Sequence, residues 1–99
     1  MGLKDIKQKI NEIEKMIFEY SFQKNISSQN LSSVYFDLIN IKNWFLRVNF
    51  MEYEQVELEE IRYRIQENIL NVRIMIREIN GLNIDFEINQ MKELINSYC

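Results

Sequence analysis

The sequence predicts an all-α protein, a four-helix antiparallel bundle built from two helical hairpins, with helices over residues 3–24, 31–49, 52–80 and 84–98. Three observations predict it. Apolar residues recur at steps of three and four in four separate segments, the spacing that lines one face of an α-helix. Short polar stretches rich in helix caps and stops join those segments, and short links make neighbouring helices antiparallel. No segment alternates apolar and polar residues with period two, so no sheet is expected.

The first helix carries the stripe Leu3, Ile6, Ile10, Ile13, Ile17 and Tyr20, with Lys, Glu, Gln and Asn opposite. Asn25 is the candidate left-handed stop, and Ser28 or Asn30 the candidate cap of the next helix. The second stripe is Leu31, Val34, Leu38, Ile41, Phe45 and Val48, with Phe36 and Phe50 falling on or near the polar side. The third helix is the longest. Glu52, Glu54, Glu57, Glu59 and Glu60 crowd its start and Arg73 and Arg77 its end, an order that complements the helix dipole. Its stripe runs Leu58, Ile61, Ile65, Val72, Met75 or Ile76 and Ile79, interrupted by Asn68, and Gly81 follows as a C-terminal stop. Asn83 or Asp85 can cap the fourth helix, whose stripe is Ile84, Ile88, Met91, Ile95 and Tyr98. Ile and Tyr are not strong helix formers, so these helices depend on packing their apolar faces.

A chain of 99 residues suits one helical domain, 1–99, and 46% apolar content excludes a disordered chain. The net charge of −3 offers no broad field for a phosphate backbone, so nucleic-acid binding is not expected from charge alone. Ile, Asn, Lys, Tyr and Phe are abundant while Ala and Pro are absent, a bias of AT-rich coding that suits a low-GC bacterium, its phages or mobile elements, or an AT-rich eukaryotic virus. Cys99 is the only cysteine, which suits a reducing compartment. No apolar run follows Lys4 to Lys9, so no signal peptide is expected, and no segment reaches the length of a membrane span. The expected location is the cytoplasm.

Catalytic equipment is sparse. Without His, the usual general base and Ser–His or Cys–His nucleophile systems are excluded, and one cysteine cannot build a zinc site. Two glycines cannot form a phosphate loop. The string Glu57-Leu58-Glu59-Glu60 resembles the start of the magnesium site in all-helical nucleotide pyrophosphohydrolases, but Arg64 stands where a further acid would follow. Ser33-Val34-Tyr35-Phe36-Asp37 resembles the Ser-Gln-x-x-Asp signature of small helical-hairpin phosphatases of the sporulation phosphorelay, with Val34 in place of Gln. That resemblance would imply an aspartyl-phosphate phosphatase-like regulator working through Ser33 and Asp37. No catalytic residue, metal or cofactor is assigned from the residues themselves.

The third helix is apolar on two sides. A second stripe, Val56, Tyr63, Leu70 and Ile74, lies roughly 165° from the first at 100° per residue. Arg62, Gln66, Arg73 and Arg77 line one flank between the stripes. A helix apolar on two sides either sits centrally, its back covered by the second helix or the long loop of the same chain, or presents its back to a partner. Val56, Tyr63, Leu70, Arg73, Ile74 and Arg77 are therefore the candidate partner-binding residues, serving either a homodimer seam or a docking face for another protein. The expected function is stoichiometric protein binding of adaptor, inhibitor or immunity type. The alternatives are the phosphorelay reading and a nucleotide or nucleic-acid binder using the Arg stripe.

Overall fold

The computed structural model describes residues 2–23 and 25–98. Helix α1 (Leu3–Tyr20) starts where the Asp5 carboxylate accepts the Gly2 backbone N–H at 3.3 Å. It stops with the last residue of its stripe, Tyr20, short of the expected boundary at 24. The Ser21 hydroxyl donates to the Phe18 carbonyl at 2.6 Å, taking one of the last orphan acceptors. Ser21 caps α1 in a right-handed conformation, four residues before Asn25, so Asn25 is not the left-handed stop of this helix. Lys24, placed within the first helix by its sequence, lies outside the described residues, as does Cys99.

Helix α2 (Ser28–Phe45) begins a turn before the residue its stripe predicts, because Ser27 takes the cap and accepts the Asn30 N–H at 3.2 Å. It ends at Phe45 and not at 49, where the Asn49 side chain instead accepts the Met51 N–H and starts a 3₁₀ turn over Phe50–Glu52. Helix α3 (Gln55–Ile79) follows. At its end Gly81 has φ of 67°, Leu82 N–H bonds back to the Arg77 carbonyl at 2.8 Å and Gly81 N–H to Glu78 at 3.0 Å. This is a Schellman stop, and glycine alone reaches that φ without strain. The Asn83 side chain accepts the Asp85 N–H at 2.7 Å and opens helix α4 (Asp85–Tyr98).

The four helices form the bundle the periodicity predicts, but they share its core unequally. One cluster of buried side chains joins Leu3, Ile6, Ile10 and Ile13 of α1 to Val34, Leu38, Ile41 and Phe45 of α2 and Leu58, Ile61, Ile65, Ile69 and Val72 of α3. Val48, past the end of α2, belongs to it too. Helix α4 contributes nothing to this cluster and packs chiefly on α3.

Polar contacts fix α1 alongside α3. Lys7 pairs with Glu57, and Arg64 holds Glu14 and Asn11, so the two helices run parallel. Asn68, the polar interruption in the third stripe, is buried and donates to Glu14 Oε2 at 2.9 Å and to the Arg64 carbonyl at 2.8 Å. Its amide is thus a pairing device between α1 and α3. On the other side of α1, Lys9 sits 5.3 Å from the centroid of the Trp44 ring of α2.

Burial pushes the Glu14 carboxyl up, but hydrogen bonds from Arg64 and Asn68 and the Arg64 charge outweigh it and hold the group below the usual carboxylate range. A carboxyl with a lower pKa in the folded state stabilises the fold above its unfolded value, about 4.3 for a free Glu. That contribution is lost as pH falls through the folded value. Urea midpoints measured at pH 7 and pH 3 should therefore fall further in the native chain than in Glu14→Gln, which has no proton to take up there. Equal losses would show that Glu14 contributes nothing to acid sensitivity.

Candidate functional site

Among α1, α2 and α3, the sequence stripe and the buried face coincide. In α4 they do not. Of the described α4 residues only Glu87 is fully buried, at 1% exposure, while Ile88 and Ile95 of the stripe are 38% and 42% exposed. At 100° per residue Ile88 and Ile95 lie roughly 90° round the helix from Glu87. The helix has turned its apolar edge away from α3 and set a carboxylate in the seat.

The cause lies on α3. Arg73 and Arg77 stand one turn apart, and the tight Gly81 connection folds α4 back along them. Glu87 Oε1 lies 3.0 Å from Arg77 Nε and 3.8 Å from Arg73 Nη2, an ion pair with each. Arg77 Nε also donates to the Asn83 carbonyl at 2.9 Å, tying the connection to the same guanidinium. Two half-exposed guanidinium groups facing one carboxylate stabilise it where an apolar residue would leave both cations facing grease. The pairing is incomplete. Glu87 Oε2 and Gln90 Oε1 are buried and accept no hydrogen bond among the described residues, a burden of about 1–3 kcal/mol each.

Farther along, the ring of Tyr98 stacks on that of Tyr63 with centroids 4.2 Å apart. Beside this stack a groove of about 420 Å³ runs between α2 and α4 over α3. Phe45, Leu46, Ile65 and Leu94 line it together with the two tyrosines, and Lys42, Glu59 and Arg62 also border it.

The six residues that the sequence singles out are not one open face. Leu70 is 1% exposed and Ile74 is half-buried. Tyr63 is in the stack with Tyr98, and Arg73 and Arg77 are engaged by Glu87. Val56, near the start of α3, is the one left open, at 79% exposure. The second stripe of α3 is therefore covered over its C-terminal part by the chain's own fourth helix, and a partner cannot touch Leu70 while α4 is seated. What sequence reasoning missed is the outward edge of α4 itself. The signal for it was present in the two arginines before Gly81 and the one acid after it that a hairpin brings opposite them.

The residues behind the two resemblances lie on different helices, α2 and α3. Ser33 and Asp37 are both exposed on α2, and Asp37 borders a shallow groove with Trp44 and Lys9. In the acidic string Glu57 pairs with Lys7, Leu58 enters the core, Glu59 lies 3.6 Å from Arg62 and Glu60 is exposed. Among the described residues no three His, Cys, Asp or Glu side chains are grouped to hold a metal ion, and no helix is long and apolar enough to cross a membrane. No protein-family model, no curated protein and no solved structure in the three comparisons matches this chain.

Proposed function

We propose that this protein acts by stoichiometric binding to another protein and not by catalysis, as an adaptor, inhibitor or immunity-type protein of the cytoplasm. The observation that supports this reading is the outward apolar edge of α4. A helix that could have buried Ile88 and Ile95 by a partial turn about its axis leaves them partly exposed instead, in line with the half-buried Ile84 and Met91. Contiguous apolar surface of this kind is a feature of interaction sites, whereas scattered single residues are not. The AT-rich coding bias and small size suit a phage or mobile-element product. The Arg stripe favours a protein partner over a nucleic acid, because Arg73 and Arg77 already face Glu87 and Arg62 faces Glu59.

The double substitution Ile88→Glu with Ile95→Glu tests this. Both positions are outside the core, so the variant should melt within a few degrees of the native chain, with surface changes costing about 0.5 kcal/mol each. It should lose a one-to-one partner captured from a low-GC bacterial lysate by the native chain. Retention of that partner at unchanged stoichiometry would refute the α4 edge as the binding face. Light scattering of the isolated native chain reads the remaining case. A dimer that Ile88→Glu with Ile95→Glu converts to monomer would assign the edge to a second copy of the chain.

A further inference from the structure

A bundle helix ordinarily holds its place by burying its apolar stripe. Helix α4 does so only in part. It supplies no residue to the core cluster, and the one side chain it buries fully is the carboxylate of Glu87. Two oxygens at this contact, Glu87 Oε2 and Gln90 Oε1, are left without a hydrogen bond among the described residues. The α3 side of the contact is richer. It presents Tyr63, Leu70 and Ile74 along one line, with Arg73 and Arg77 beside them. The seat is thus more apolar, and more strongly charged, than the helix sitting in it requires.

We propose that this seat on α3 is a docking site for an amphipathic helix carrying a carboxylate, occupied in the free protein by α4 and given up to such a helix from a partner protein. Charge selects the occupant: the two guanidinium groups face no carboxylate but Glu87 among the contacts of the described residues. Helix α4 supplies the pattern. Counting from Glu87, the residues directed at α3 are the half-buried Met91 and Leu94, four and seven positions on, and Tyr98, eleven on, in its stack with Tyr63. A partner helix therefore needs an acid followed by apolar residues at those offsets, the spacing of a helix lying in a groove. The hinge is the Gly81 stop, where α3 ends by itself and keeps its own capping bonds when α4 leaves. Helices held mostly by peripheral contacts open as separate units while the core stays closed. This inference concerns the inner seat of α4, so it stands or falls apart from the outward edge tested by Ile88 and Ile95.

The test uses the full chain and a labelled peptide of residues 82–98 as the probe. In Glu87→Arg the cis helix meets like charge at Arg73 and Arg77. Hydrogen exchange should show the α4 amides losing protection by at least about tenfold while α1, α2 and α3 keep theirs. The peptide should bind this variant at least about tenfold more tightly than the native chain, whose own α4 competes at a high effective concentration. A peptide carrying the same Glu87→Arg change should bind neither. The milder Tyr98→Ala, which leaves the ion pair intact, should loosen α4 in the same selective way. Loss of protection in all four helices together, in either variant, would make α4 part of one cooperative unit and overturn the proposal. So would equal peptide affinity for the native chain and Glu87→Arg, or no binding to either.

Discussion

Ile61→Ala should lower the stability of the native chain by about 2–5 kcal/mol, the usual cost of truncating a fully buried aliphatic side chain to alanine. Ile61 has no solvent exposure and sits in the cluster that joins α1, α2 and α3. Its loss removes buried methyl groups and leaves a cavity in the cluster where three helices meet. Domains of this size have roughly 5–15 kcal/mol in total, so the substitution consumes a large part of it. The melting temperature followed by circular dichroism should fall by roughly 8–40 °C, at about 4–8 °C per kcal/mol for a small domain. The same chemical change in α4, Ile88→Ala, should cost less than about 1 kcal/mol, because that side chain is already partly in water. Similar costs at the two positions would mean that α4 shares the core.

Leu70→Ala should give the second large effect, and a different kind of effect. Leu70 is as buried as any core residue but lies outside the core cluster, beneath α4. If α4 stayed seated over the cavity, the cost would again be about 2–5 kcal/mol. Helix α4 can instead leave, and the cost is then capped by whatever free energy docks it. The expected result is a loss of helical signal equal to the 14 residues of α4. The three-helix core should melt close to its native temperature, and the environment of the Tyr63–Tyr98 pair should change in the near-ultraviolet. A single transition lowered by the full cavity cost would contradict this.

The sequence carried most of the fold. Stripes in α1, α2 and α3 became the buried faces because several neighbours surround each of those helices, so the most apolar face is also the most enclosed one. Boundaries were less legible, since they depend on which of several adequate caps wins. Ser27 took the place foreseen for Ser28 or Asn30, and Asn49 turned the end of α2 into a separate 3₁₀ turn. Asn68 was legible as an anomaly, but its partners Glu14 and Arg64 belong to a tertiary arrangement that no local pattern specifies.

The candidate site shows the limit more sharply. A second apolar stripe on α3 was readable, and so were Arg73 and Arg77 along its flank. That the chain covers this stripe with its own last helix depends on the rotation of α4 about its axis. Two opposing preferences set that rotation: the pull of Ile84, Ile88 and Ile95 toward α3, and the pull of Glu87 toward two guanidinium groups. Hydrophobic periodicity registers only the first. With α4 bordered by α3 on one side and water over much of the rest, a single charged contact is enough to decide the angle.

The orientation of α4 can be measured directly on the native chain with isotope-labelled isoleucine methyl groups and a soluble paramagnetic probe. Ile88 and Ile95 should relax strongly in proportion to added probe, while Ile6, Ile10 and Ile61 stay unaffected. Ile88 and Ile95 as silent as Ile61 would mean that α4 buries its apolar stripe after all, and the account of an outward edge and a carboxylate-held helix would be wrong.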